Sequence, residues 1–350
     1  MLNWIDHLTL TQQTLLFTTL KVVAVIAVVM PMIAYSVVAE RRISAWIQDR
    51  IGPNRVGPWG LLQPMADGLK FLLKEDFTPH YVRKAYFWIA PAITMIPAFL
   101  AFAVIPFGSK LGEQKMVIAD LNVGILYTFG IISLGVYGIV LAGYASNSKY
   151  PFLGGIRSSA QMISYEIAMG MSVIPLFLIV GNLNLSEVIA WQAQHGWLIV
   201  YAPFSFLIFL VSAFAETNRL PFDLPESETE LVAGYHTEYS SMKFALFFLG
   251  EYANMIAASA MMVTLFLGGW TLPWGALNEP ATRVFIGLVH IAIFLAKLLF
   301  FMVLFIWVRW MLPRFRYDQL MDLGWRRFIP FALANILGTA VVLWLKSAPR

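Results

Sequence analysis

Eight predominantly apolar stretches, each about as long as a bilayer is thick, constrain this chain more than any other feature. They run from Leu15 to Ala39, Tyr86 to Phe107, Val123 to Ala145, Ile163 to Val180, Trp197 to Ala215, Phe244 to Leu267, Val284 to Val308 and Phe328 to Leu345. A hydrocarbon core of about 30 Å takes about 20 helical residues to cross. Inside lipid every backbone N–H and C=O must find a partner, which leaves helices or closed barrels as the spanning structures. Long continuous apolar runs, rather than short alternating ones, select helices. The expected fold is therefore all-α: a polytopic transmembrane helix bundle of about eight spans, making residues 1–350 a single integral membrane domain. The composition agrees, with 59% hydrophobic and 13% charged residues, more apolar and less charged than ordinary soluble domains.

What is missing also narrows the function. With no cysteine, the chain makes no disulfide and holds no iron–sulfur cluster or thiolate-bound zinc by itself. Of its five histidines only His290 falls in an expected span, which argues against a haem held by two of them. The start, "MLNWIDHLTLTQQ", lacks a basic region and a small-residue cleavage site, so the first apolar run reads as a retained span.

Orientation follows from lysine and arginine in the short loops. The connections 40–85, 146–160, 216–243 and 309–327 carry 17 of the 24 basic residues. These four are expected to be the inner loops, with both termini outside, in a bacterial inner membrane or an organellar relative of one.

The first inner loop is too long for a simple turn. Its second half carries an apolar stripe of Leu61, Leu62, Met65, Leu69, Leu72 and Leu73 opposed by Gln63, Asp67, Lys70 and Lys74, the pattern of a helix lying along a membrane surface. Before it, "ERRISAWIQDRIGPNRVGPWG" packs Gly52, Pro53, Gly57, Pro58 and Gly60 into an ordered turn ringed by Arg41, Arg42, Arg50 and Arg55. A lone arginine there anchors to lipid headgroups; four around a constrained turn point to docking a partner or ligand.

"ERR…A…QDRIGPNRVGPWGLLQPMADGLKFLLKED" resembles the first inner loop of the respiratory complex I membrane subunit termed H in bacteria and 1 in mitochondria. The likeness continues through "ASNSKYPFLGGIRSSAQMISYE", "PFDLPESETELVAGYHTEYSSMKFALFFLGEY" and "RWMLPRFRYDQLMDLGW". These blocks are ordered along the chain from Glu40 to Trp325. Membrane-bound hydrogenases share part of the first motif, whereas the acidic loop followed by "GYHTEYSSMKF" favours the quinone-reducing branch.

Two features of the residues themselves call for a role. Ionisable side chains within spans are costly and mark function by default, and Glu166, Glu251 and Lys297 lie in the fourth, sixth and seventh spans, with Glu216 at the inner end of the fifth. One reading is an internal ion pair, such as Glu251 with Lys297, that only sets helix packing. The other is a proton path, because neighbouring buried carboxylates cannot all ionise and so hold and release protons near neutral pH. The second feature is an acid concentration: Glu216, Asp223, Glu226, Glu228, Glu230 and Glu238 fall within one inner connection, interrupted by Arg219. Glu226 and Glu230 at i and i+4 disfavour a helix there by a few tenths of a kcal/mol, so this loop is expected to rearrange when a nearby charge changes.

The resemblance implies roles for matched residues. Glu40, Arg41, Gln48, Arg50, Arg309, Arg314 and Asp318 would line a quinone entrance or a partner contact, and Phe248 would touch the quinone tail. Glu166, Glu216, Asp223, Glu226, Glu228, Glu230, Glu238 and Glu251 would couple quinone chemistry to proton movement, and Lys297 joins that set as an ionisable residue within a span rather than through the resemblance. The chain would have no redox centre of its own; quinone would be substrate, and FMN and iron–sulfur clusters would sit in partner subunits. Partners would be the quinone-site subunits of the peripheral arm and small membrane subunits leading to the antiporter-like ones. A hydrogenase-type ion pump and a stand-alone ion-coupled transporter are the alternatives, although the inverted repeats of many transporters are not evident.

Overall fold

Among the described residues of the computed structural model, seven helices are long and apolar enough to cross a membrane. The structure describes residues 9–112, 114–224, 232–273, 275 and 277–347, so Glu226, Glu228 and Glu230 lie outside the described residues.

Helix α1, Leu10–Ile47, begins at Thr9, whose hydroxyl accepts from the Gln12 amide while the Gln12 side chain accepts from the Thr9 N–H. This reciprocal cap starts the helix ahead of the lipid-length run. At the other end α1 continues through Glu40, Arg41 and Arg42, because good helix formers extend the ladder after the apolar residues stop. Its overrun carries Glu40 into the bundle as part of a helix, where the sequence pattern suggests a loop. The chain then turns through Gly57 and Gly60, both at positive φ. A Cβ on Gly60 would lie 2.3 Å from the Pro53 carbonyl oxygen, so the turn closes only on glycine.

Helix α2, Gln63–Leu73, is the expected surface helix. Met65, Leu69, Leu72 and Leu73 are exposed, as an apolar stripe turned to lipid should be, and Asp67 faces the protein. Helices α3, Lys84–Leu100, and α4, Gly124–Ala145, pack as an antiparallel pair. They approach so closely that a Cβ on Gly138 would stand 2.2 Å from Thr94 Oγ1. Between them lies a two-stranded antiparallel hairpin, Lys110–Leu111 with Gln114–Lys115, which the apolar periodicity does not announce.

The expected inner loop 146–160 is mostly helix. Helix α5, Lys149–Val180, absorbs it: Pro151 sits in the first turn, where its missing N–H leaves no bond unmade. Gly154 then meets the 234–235 backbone at a distance that a Cβ would reduce to 2.8 Å. The fifth expected span departs in the other direction. After α6, Leu185–His195, it is split into α7, Leu198–Tyr201, and α8, Pro203–Glu216. Ala202 leaves the helical region (φ −136°, ψ 60°) because the following proline crowds a helical residue before it. Seven of the eight expected spans are thus long helices, and the fifth is an interrupted one.

Helix α9, Ser241–Phe266, is the centre of the bundle, buried along most of its length. Helix α10, Val284–Met311, is followed by the short α11, Tyr317–Met321, a π-helical stretch at Asp322–Phe328, and α12, Ile329–Ser347. The last helix leans on α5 and α8 and leaves Leu337 and Trp344 exposed. Pro31, Pro91, Pro97 and Pro175 lie inside helices, which membrane helices tolerate when neighbours satisfy the freed carbonyls. The C-terminal ends of α1, α4, α8 and α10 and the N-terminal ends of α3, α5 and α9 meet at one end of the bundle. The arginine-rich connections are gathered there.

Candidate functional site

At that end a slot of ≈ 760 Å³ opens between α1, α2, α9 and the last turns of α10. Ile33, Val37, Phe244, Phe248 and Leu249 form an apolar wall, while Glu40, Arg41, Asp67, Tyr252 and Arg309 supply the polar lining. Arg41 is held to Asp67 at 2.9 Å, which ties α1 to α2. The N-terminus of α9 ties the other end of α2: Ser241 Oγ donates to the Phe71 and Lys74 carbonyls at 2.9 and 3.0 Å. An apolar hollow with a few convergent polar groups is the usual form of a small-molecule site.

Behind the polar end lies a network of buried charge. Glu40 accepts from Arg219 Nη1 at 2.8 Å and from the Tyr252 hydroxyl at 2.7 Å, and its other oxygen pairs with Arg309. Arg219 also holds Glu251 through Nε at 2.7 Å, and its guanidinium lies 4.4 Å from the Tyr252 ring centroid. A planar fork with several donors can bind two carboxylates at once, which a lysine cannot do in that geometry. Local structure places this arginine: after α8 ends, Arg219 N–H bonds the Phe214 carbonyl and its own carbonyl accepts from Phe222. Phe222 stacks on Phe315 at 5.4 Å, joining connection 216–243 to connection 309–327. Across this joint Arg314 meets Asp223 at 2.9 Å. Burial pushes the Asp223 carboxyl up, and Arg314, Arg309 and Arg219 pull it back in part.

Glu216, buried at the end of α8, shares with Glu251 a cavity of ≈ 20 Å³ that Thr94, Asn218, Tyr235 and Asn254 also line. That is room for a water molecule, and Asn254 Oδ1 is buried without a hydrogen-bond partner. Glu166, half-buried on α5 beside Ser133, is close enough for its charge to act on Glu216. The structure therefore brings Glu166, Glu216, Glu251 and Glu40 into one sequence of neighbours.

Other residues singled out in the sequence stand elsewhere. Lys297 is not the partner of Glu251. Its ammonium donates to the carbonyls of Leu267, Gly269 and Thr271 at 2.7, 2.9 and 2.5 Å, at the far end of α9, so the Glu251–Lys297 pair offered as the packing alternative does not form. Arg50 and Gln48 bond each other at 2.8 Å in the exposed turn after α1 and do not line the slot. Asp318 pairs with Arg316, both exposed, at 2.9 Å, and Arg314 belongs to Asp223 rather than to the slot. Glu238 accepts from Tyr81 at 2.6 Å, and that carboxylate holds the Tyr81 hydroxyl above its usual range.

Two contributors, Arg219 and Tyr252, were not among the expected site residues, and a third unexpected residue, His236, packs behind the slot wall. Arg219 was visible as the one cation interrupting an acid run, and this was its only signal. Tyr252 had none beyond adjacency to Glu251. His236 is buried against Phe244 and Phe248, with ring centroids 5.1 and 6.2 Å away, and burial pushes its imidazole down to about 4. No group of three or more acidic or histidine side chains is arranged to hold a metal among the described residues.

Residues 20–340 match the family described as NADH dehydrogenase. The chain is 53% identical over 331 residues to the H subunit numbered 1 in the NADH-quinone oxidoreductase of Geobacter metallireducens, covering 93% of this chain and 96% of that one. The chain belongs to the H-type subunits of NADH-quinone oxidoreductase. The H subunit numbered 2 in Geobacter sulfurreducens is 52% identical, with 92% of this chain and 95% of that one covered. The H subunit of Paramagnetospirillum magneticum is 51% identical, with 94% and 93% covered. As a member of this family, the chain is a multi-pass bacterial membrane component of an oxidoreductase complex and has the other subunits of that complex as partners. Likeness over nearly the whole length leaves the stand-alone transporter without support.

Proposed function

We propose that the chain forms the membrane side of a quinone chamber and links quinone reduction to proton movement through Glu40, Glu251, Glu216 and Glu166. One observation carries this reading: Glu40 and Tyr252 line the slot and also contact Arg219, which holds Glu251. A charge that appears or disappears on a quinone head in the slot alters the balance at Glu40, and Arg219 transmits that change to a carboxylate sharing a water-sized cavity with Glu216. Low-dielectric surroundings make such couplings larger than they are in water.

In this reading Arg41 and Arg309 face the quinone head and Phe248 its tail. Gln48, Arg50, Arg314 and Asp318 lie on the surface that meets the peripheral arm, where electrons arrive from iron–sulfur clusters and FMN in partner subunits. Asp223 and Glu238 flank the acidic loop of Glu226, Glu228 and Glu230, which responds to the change. Lys297 has no direct link to this row and serves at the far end. The arginine-rich end faces the cytoplasm and both termini face the periplasm.

The test uses the intact complex in proteoliposomes. Glu216→Gln should lower proton translocation per quinone reduced by at least half while electron transfer from NADH to ferricyanide stays at the wild-type rate. An unchanged proton yield would remove the coupling role.

A further inference from the structure

On α5, ahead of Glu166, Gln161 is fully buried and reaches across to the connection that follows α8. Its amide nitrogen donates to the Ala215 carbonyl at 2.6 Å and to the Phe222 carbonyl at 2.7 Å, with Asn218 Oδ1 at 3.2 Å. Two of these acceptors are backbone oxygens, which fixes the end of the amide that carries nitrogen. Gln161 Oε1 is buried without a hydrogen-bond partner among the described residues. An unpaired buried oxygen costs stability, so the side chain is held there for its two N–H donors.

The two carbonyls flank a single turn, and Arg219 stands inside it. Asn218 takes φ 51° in that turn, a left-handed conformation that asparagine adopts more readily than most residues. The guanidinium has to meet carboxylates from two different helices, Glu40 of α1 at 2.8 Å and Glu251 of α9 at 2.7 Å. Hydrogen bonds of this kind are made within about 3.2 Å, so a displacement of about 1 Å at the turn loses one of the two. A neutral amide ties both ends of the turn to α5 without adding a charge beside the network. The same face of α5 holds the neighbouring connection. Tyr165 packs on Phe222 with ring centroids 5.5 Å apart and donates from its hydroxyl to the Leu320 carbonyl at 3.0 Å, while Phe315 N–H bonds the Pro221 carbonyl at 3.0 Å.

We propose that Gln161 is a positioning residue for Arg219: by clamping both ends of the turn 215–222 to α5, it keeps the guanidinium between Glu40 and Glu251. The proposal rests on the coupling reading above and adds the residue that sets the geometry of its central link.

Gln161→Met keeps the length of the side chain and removes both donors. In the intact complex in proteoliposomes it should lower proton translocation per quinone reduced by at least half, with electron transfer from NADH to ferricyanide unchanged. A normal proton yield in Gln161→Met beside a lowered one in Glu216→Gln would overturn the proposal and leave the coupling row standing; normal yields in both would remove the coupling reading and the proposal with it. The thermal stability of the detergent-extracted complex separates positioning from packing, because residues that act through a shared partner are non-additive and distant ones add. The loss caused by Gln161→Met should shrink by at least half in a Glu251→Gln background, where the charge that Arg219 compensates is gone, and should stay whole in a Lys297→Met background. Equal losses in the three backgrounds would make Gln161 a packing residue and overturn the proposal. If Gln161→Met alone does not assemble, the double variant with Glu251→Gln decides: restored assembly supports the proposal and continued failure overturns it. Amide exchange across residues 216–222 should quicken in whichever variant assembles, and unchanged exchange would show that the turn holds its shape without the clamp, which also overturns it.

Discussion

Replacing Arg219 with leucine tests the physical basis of the buried network. Arg219 is 4% exposed and binds Glu40 at 2.8 Å and Glu251 at 2.7 Å. The two carboxylates do not lose equally. Glu40 keeps Arg309 and the Tyr252 hydroxyl, whereas Glu251 has no other ion pair among the described residues. Removing one partner of a buried pair typically costs about 3–5 kcal/mol, chiefly because the remaining charge is left desolvated and uncompensated. In Arg219→Leu most of that cost falls on Glu251. The expected result is a clear drop in the thermal stability of the detergent-extracted complex, with loss of quinone-linked proton translocation. Adding Glu251→Gln should return a large part of the stability, because the amide carries no charge to strand, while translocation stays lost. Adding Glu40→Gln should return less. Wild-type stability in Arg219→Leu, or equal rescue by the two glutamine variants, would refute the argument that Arg219 compensates Glu251 in particular.

The His236 imidazole is pushed down to about 4 by burial, against about 6.5 in an unfolded chain. Between those values the unfolded chain binds more protons, so stability falls as pH drops from about 6.5 to about 4, by about 3 kcal/mol in all; His236→Phe should flatten this part of the stability profile, and an unchanged acid limb would refute it. Lys297→Met should leave the carbonyls of Leu267, Gly269 and Thr271 without their ammonium donor and make opening of that turn easier by about 1–3 kcal/mol, read as faster amide exchange across residues 267–271; unchanged exchange would show that the turn stands without the lysine.

The amphipathic loop helix was legible because its stripe repeats at the helical period, and the structure leaves that stripe exposed on α2. The helix boundaries were less so. Loop 146–160 reads as a connection because it is polar, yet it continues a helix, since polarity marks departure from lipid and not departure from helical geometry. The break at Ala202 was readable in principle from Pro203. For the buried charges, the sequence marked Glu166, Glu216 and Glu251 as costly without naming their partners. The structure places Glu251 on Arg219 and Lys297 on three backbone carbonyls.

By itself the sequence determined the solvent this chain folds in, the helical character of its spans and their number to within one interruption. These depend on hydrophobic runs and backbone hydrogen bonding, which are local along the chain. Only the tertiary structure decided that Glu40, Arg219, Tyr252, Glu251 and Arg309 share one network beside an apolar slot. Those residues come from four segments far apart in sequence. An ion pair forms wherever packing brings opposite charges within a few ångströms, and no local pattern records which helices become neighbours.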